Sequence, residues 1–205
     1  MSRIIGALLL LLLAMPTAGQ TTLGVRGGVN FATLGGDADG VGTRTGLNIG
    51  AVAIFPLSGN LSLQAGAHYS QKGAEETDGG LTATLEFDYI DFPVLLRYGF
   101  PTSGATSFHL LAGPSVSFQS GCSLSASGGG SSGSVDCDQA DIDIASIDVG
   151  LMGGLGLDFQ ASESLVITLD GLYNLGLSNL DDTGSDSVKN RVFMLQAGVG
   201  FPLGG

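Results

Sequence analysis

The sequence predicts an all-β fold, an eight-stranded antiparallel up-and-down transmembrane β-barrel. Three observations predict it. Period-two alternation of apolar and small or polar residues recurs along the chain, the connections between the runs alternate short and long, and the composition is apolar without being helical. Apolar residues make up 43% of the chain and charged residues only 13%, beside 35 glycines and six prolines. Long helices are disfavoured by so much glycine and proline. Apolar residues spread over alternating strands, with no long apolar segment after the amino terminus, are what a lipid-facing barrel wall produces.

The first strand sets Leu23, Val25, Gly27, Val29 and Phe31 on one face and Gly24, Arg26, Gly28, Asn30 and Ala32 on the other. The second opposes Leu47, Ile49, Ala51, Ala53 and Phe55 to Asn48, Gly50, Val52 and Ile54. The third opposes Leu61, Leu63, Ala65, Ala67 and Tyr69 to Ser62, Gln64, Gly66, His68 and Ser70. In the fourth, Leu85, Phe87 and Tyr89 share one parity and Ile90, Phe92, Val94, Leu96 and Tyr98 the other, which predicts a β-bulge near Tyr89. The fifth runs from Phe108 to Phe118 with a local break at Pro114. The sixth covers Ile147 to Phe159, the seventh Leu165 to Leu175 and the eighth Phe193 to Phe201.

The loops fall at 34–43, 56–60, 73–80, 99–106, 119–141, 160–164 and 178–190. Short turns alternating with longer loops match a bacterial outer-membrane barrel with both termini in the periplasm. Residues 1–19 fit the pattern of an export signal: Arg3, an apolar run from Ile4 to Met15, then Thr17, Ala18 and Gly19. That run is shorter than the about 20 residues a spanning helix needs. The expected organisation is therefore a signal peptide at 1–19 and an outer-membrane β-barrel domain at 20–205. A soluble lipocalin-like barrel, with the apolar face turned inward around a greasy ligand, is the rival, because alternation does not say which face is inside.

A net charge of -12 disfavours nucleic acid as a partner. Many of the acids fall in expected loops: Asp37, Asp39, Glu75, Glu76, Asp78, Asp136, Asp138, Asp181, Asp182 and Asp186. They read as a hydrated acidic surface or, alternatively, as divalent-cation ligands, though none forms an EF-hand loop. Cys122 and Cys137 flank a Gly/Ser-rich stretch of an exported chain, which predicts a disulfide, with zinc as the alternative.

The opening strand from Leu23 to Leu34, the segment Tyr89-Ile-Asp-Phe-Pro-Val-Leu-Leu-Arg-Tyr98, Leu111-Ala-Gly-Pro-Ser115 and Gln196-Ala-Gly-Val-Gly-Phe201 resemble the outer-membrane β-barrel family of Bacteroidetes and their relatives, often labelled PorT-like. The resemblance spans the mature chain and implies a barrel and an address, not an activity. Some members are implicated in secretion or gliding machinery. The chain departs from the usual pattern by ending Phe201-Pro-Leu-Gly-Gly205 rather than on an aromatic residue.

The lumen-facing charges are expected to form a network of Arg26, Arg97, Asp91, Asp148, Asp158 and Asp170, either plugging the barrel or lining a narrow ion path. No catalytic residue, metal site or cofactor is predicted. His68 is expected near the outer end of its strand and His109 at the periplasmic start of another, too far apart for one site. The functional expectation is a structural or interaction barrel acting through acidic external loops, with a narrow porin-like channel as the alternative and a barrel enzyme third. Its partners would be outer-membrane lipid, the barrel-assembly machinery and an extracellular ligand or protein at the loops.

Overall fold

The computed structural model describes residues 20–100, 102–140, 144–181 and 186–203; the expected signal peptide lies outside them. The strands in chain order are β1 (Thr21–Gly36), β2 (Arg44–Ser58), β3 (Leu61–Asp78), β4 (Leu81–Phe100), β5 (Thr106–Gly128), β6 (Ser131–Asp136), β7 (Ile147–Ser162), β8 (Leu165–Gly176) and β9 (Val188–Leu203), with one 3₁₀ turn at Cys137–Ala140. All pairings are antiparallel. The ladder runs β4-β3-β2-β1-β9-β8-β7-β5-β6, and β4 also pairs with β5. The wall therefore closes through β4 and β5, and β6 hangs on β5 alone.

Among the described residues there are nine strands where eight were expected, and the additional one, β6, lies outside the ring that closes through β4 and β5. The extra strand arises inside the expected loop at 119–141. There β5 continues to Gly128, turns at Gly129 and Gly130, both at positive φ, and returns as β6. The expected loop at 73–80 is likewise strand, with β3 and β4 meeting at the Gly79-Gly80 turn. Such two-residue turns need φ > 0 at both central positions, which glycine supplies without steric cost. The glycine-rich stretches expected as loops make tight hairpins.

Which face is inside is decided by burial. The apolar face points outward, with Val25, Ile49, Leu96, Leu110, Leu151, Leu155, Leu169 and Leu195 among the exposed side chains. The opposite face, carrying Arg26, Asn30, Asn48, His68, Asp91, Arg97, Asp148 and Asp170, is buried. This is the arrangement of a barrel solvated by lipid, not of a soluble carrier. Aromatic contacts such as Tyr98–Phe100 and Phe31–Phe193 decorate the outer surface.

β4 needs no bulge of its own. Phe87, Tyr89, Asp91, Leu95 and Arg97 are all buried on one parity. The register does shift between Asp88 and Tyr89, which pair with Gly121 and Gln119, so the additional residue is Ser120 on β5. The change of pattern along β4 is a change of chemistry, not of phase. Pro114 interrupts no strand either, since β5 runs through it with the ring turned outward.

Candidate functional site: the layered lumen and the protruding blade

The lumen is built in layers. In one layer two guanidinium groups meet two carboxylates. Arg26 Nε lies 3.5 Å from Asp170, and Arg97 pairs with Asp158. His109 links the pairs: its Nε2 is 2.7 Å from Asp170 Oδ1, and Arg97 Nη2 is 3.0 Å from its Nδ1. With the ring proton on Nε2, Arg97 donates to Nδ1 and Nε2 donates to Asp170. A neutral ring leaves the layer electrically balanced. Gln64 accepts from Arg97 at 3.2 Å and Thr168 donates to Asp158 at 2.8 Å. Glycine makes room for these long side chains: a Cβ at Gly156 would run into the Asp170 carboxylate and the His109 ring.

An apolar layer of Ala32, Leu95, Leu111, Met152, Leu172, Val192 and Met194 fills the middle of the lumen. Beside it Asn48, Gln64, His68, Asp91, Met152 and Gln196 are among the residues around a cavity of about 10 Å³. That is room for about one water molecule. His68 Nδ1 lies 3.1 Å from Asn48 Oδ1, which also accepts from Gln196 at 2.7 Å.

A second polar layer centres on Lys72, which is fully buried. Its ammonium lies 2.9 Å from both Asp91 and Ser117 and 4.6 Å from the centre of the Tyr89 ring. Asp148 accepts from Ser178 at 2.6 Å and Asn190 at 2.8 Å. Towards the loops the lumen is apolar again, closed by Leu34, Ala74, Phe87, Tyr89 and Leu180, with Ala38, Val41, Leu85, Cys122, Ile144 and Val188 packed against them. Arg44 bridges this level to Glu86 at 2.5 Å.

The six lumen charges named from the sequence thus do not form one network. Arg26, Arg97, Asp158 and Asp170 share the first layer. Asp91 belongs to the second, with Lys72. Asp148 is held by neutral donors. Lys72 is hard to recognise from sequence as a lumen residue because it stands at the edge of the expected loop at 73–80. Extending the 64, 66, 68, 70 parity by one step would have found it. His68 is corrected as well: β3 continues to Asp78, so His68 is mid-strand rather than near the outer end. His109 is part of the first charged layer, which the sequence did not indicate.

Beyond the apolar closure, β3, β4, β5 and β6 continue as a blade. One face carries Thr77, Thr82, Thr84, Ser123, Ser125, Ser127, Ser132 and Ser134 in register, and the other carries Ala74, Ala83, Leu85, Leu124 and Val135. Cys122 and Cys137 form a disulfide across 5.4 Å between Cα atoms, tying the end of β6 to β5 and replacing the zinc alternative. A shallow pocket of about 340 Å³ beside it is lined by Gln119, Ser120, Gly121, Asp136 and Asp138 with the cystine. Of the other loop acids, Asp39 pairs with Arg191 at 2.6 Å and Asp37 accepts from the Ser187 amide at 2.7 Å; Asp182 lies outside the described residues.

Against known proteins, residues 18–182 match the family described as outer membrane protein β-barrel domain. No curated protein sequence matches the chain. Among solved structures, neisserial surface protein A aligns with a TM-score of 0.54 at 16% identity, covering 88% of this chain and 97% of that one. OprG of Pseudomonas aeruginosa aligns at 0.54 and 13% identity, covering 91% and 98%. A major outer membrane protein of Thermus thermophilus aligns at 0.50 and 14% identity, covering 88% and 98%. These likenesses are likenesses of fold.

Proposed function

We propose that this chain, which belongs to the outer membrane protein β-barrel domain family, is a closed barrel that does not conduct and acts through its external blade and loops. The observation that carries the reading is the stack of layers in the lumen. A solute would have to cross the Leu95, Leu111, Met152 and Leu172 layer and then the closure around Phe87 and Leu180, and the interior cavity beside the first holds about one water. The wall that crosses the membrane is the ring of mutually closing strands, with β6 outside it. An interior of this width can be filled by side chains, as the layers here fill it.

The rival channel reading draws on the lumen charges. Those charges are engaged with one another: Arg26 with Asp170, Arg97 with Asp158, Lys72 with Asp91. An ion entering would have to break a buried pair, a step that costs several kcal/mol. The enzyme reading has less support, because His68 bonds Asn48 and His109 bonds Asp170, away from any loop nucleophile.

The export signal rests on Arg3, the apolar run from Ile4 to Met15 and the small residues Thr17, Ala18 and Gly19, and the orientation rests on the alternation of short turns and longer loops. Residues 1–19 are an export signal, both termini face the periplasm, and the blade faces outward. Lipid contacts the outer apolar face and the barrel-assembly machinery inserts the chain. The narrower kinship with the Bacteroidetes, PorT-like barrels rests on the strand motifs alone.

Refolded protein in planar bilayers tests the reading, with folding verified by the faster gel mobility of the unheated sample. The expected result is folded barrels without steady current. A steady current from folded wild-type protein overturns the closed lumen.

A further inference from the structure

β6 is the end of the sheet. It pairs with β5 and no other described strand, and each of its six residues is exposed. Gly128 and Ser131 flank the two-residue turn and pair across it. In such a hairpin the flanking pair is hydrogen-bonded, and bonding then alternates along the ladder. Ser131, Gly133 and Val135 therefore bond to β5, whereas Ser132, Ser134 and Asp136 turn their amide and carbonyl groups to the open edge.

Exposed edges are normally protected by lysine, proline, a bulge or a covering segment. β6 carries neither lysine nor proline, and its register with β5 is unbroken. The disulfide at Cys137 holds the end of the strand in place. A strand added beside it would place alternate side chains next to Val135 on one face, continuing the Leu85–Leu124–Val135 row. The other side chains would lie next to Ser132 and Ser134.

Charge selects the partner. The blade carries Glu75, Glu76, Asp78, Asp136 and Asp138, and no lysine or arginine occurs in 73–90 or 119–140. A second copy of the chain would bring like charges together, and a basic segment would not.

We propose that the open edge of β6 captures an extended segment of a partner protein bearing lysine or arginine, as an added antiparallel strand. This rests on the interaction reading above and supplies its partner class. Main-chain bonds hold the segment and the acidic blade selects it.

The test uses the full chain refolded in detergent micelles and a labelled peptide of alternating valine and threonine with lysines at both ends, followed by fluorescence anisotropy. A second peptide is identical but N-methylated at alternate backbone amides. Ser134→Pro removes an edge-facing amide without breaking the β5 ladder, so the barrel still folds, as gel mobility checks. The wild type and Ser134→Ala should bind the first peptide alike. N-methylation of the peptide, which removes several edge bonds together, should weaken binding about tenfold or more, and Ser134→Pro, which removes one bond and puts its ring where the added strand would lie, about tenfold.

Equal binding of both peptides, or no effect of Ser134→Pro, would reduce the contact to charge attraction and overturn strand capture. No binding, or a dimer of this chain abolished by Ser134→Pro, overturns the proposed partner. Failure here leaves the conductance result untouched, and a conducting barrel that still binds the peptide would sink only the closed lumen.

Discussion

The wall of the barrel and the blade above it are made of the same strands with opposite chemistry. Along β4 the inward residues at the wall are Asp91, Pro93, Leu95 and Arg97, with a charge on either side of a short apolar step, and the outward ones are Ile90, Phe92, Val94 and Leu96. Higher on the same strand, with parity unchanged, the inward residues are Leu85, Phe87 and Tyr89 and the outward ones are Thr84, Glu86 and Asp88. β5 repeats the inversion after its extra residue at Ser120, with Cys122 and Leu124 inward and Ser123 and Ser125 outward. The lesson is that a strand's outward face reports its solvent. Lipid surrounds the wall, so polar groups pair within it. Water surrounds the blade, so apolar groups turn in and seal the mouth. The crossover runs along the register row Tyr69, Ile90, Phe118 and Ile147, which marks the expected external membrane boundary.

The largest expected effect comes from breaking the wall's interior. Asp170→Ala strips Arg26 and His109 of their shared carboxylate. It should cost about 3–5 kcal/mol, because a buried cation loses its counter-charge, as measured by urea unfolding in lipid vesicles. A loss under about 1 kcal/mol would mean that water hydrates this layer and that the lumen is wetter than its burial implies.

Next come two substitutions on the outward face of β4. Leu96→Arg should cost about 2–4 kcal/mol if that position lies near the bilayer midplane. Thr84→Arg, twelve residues earlier with the same parity, should stay within about 0.5 kcal/mol. Equal costs would erase the distinction between wall and blade.

Cys122→Ser should loosen the blade by about 2 kcal/mol through lost loop constraint. The wall should be left as it is. Hydrogen exchange sharpens this: amides of β6 should exchange faster and those of β1, β8 and β9 should not. Faster exchange throughout would show that the blade and the wall unfold as one unit.

Much of the fold was legible in the sequence. Period-two runs announced the wall strands at Leu23 to Phe31, Leu165 to Leu175 and Phe193 to Phe201 because lipid imposes one sharp chemical alternation on every strand. Legibility failed where that pressure stops. The stretches around Glu75 and Ser125 alternate too weakly to advertise strands, and their glycine pairs look like loop rather than turn. The inward Phe87 and Tyr89 mimicked a change of phase. Of the candidate site, the residues Arg26, Arg97, Asp158 and Asp170 were visible as lumen charges, but their partners were not, and Lys72 was missed.

By itself, the sequence determined that the chain alternates, that its strands are antiparallel and joined by several short turns, and that the charges of the wall share one face. Tertiary structure alone decided which face is inside, which charges meet, and where the sheet leaves an open edge. The physical reason is that alternation is a local property of one strand. A pair such as Arg26 with Asp170, or an edge such as β6, depends on strand register across the closed wall, and register is set by many strands at once.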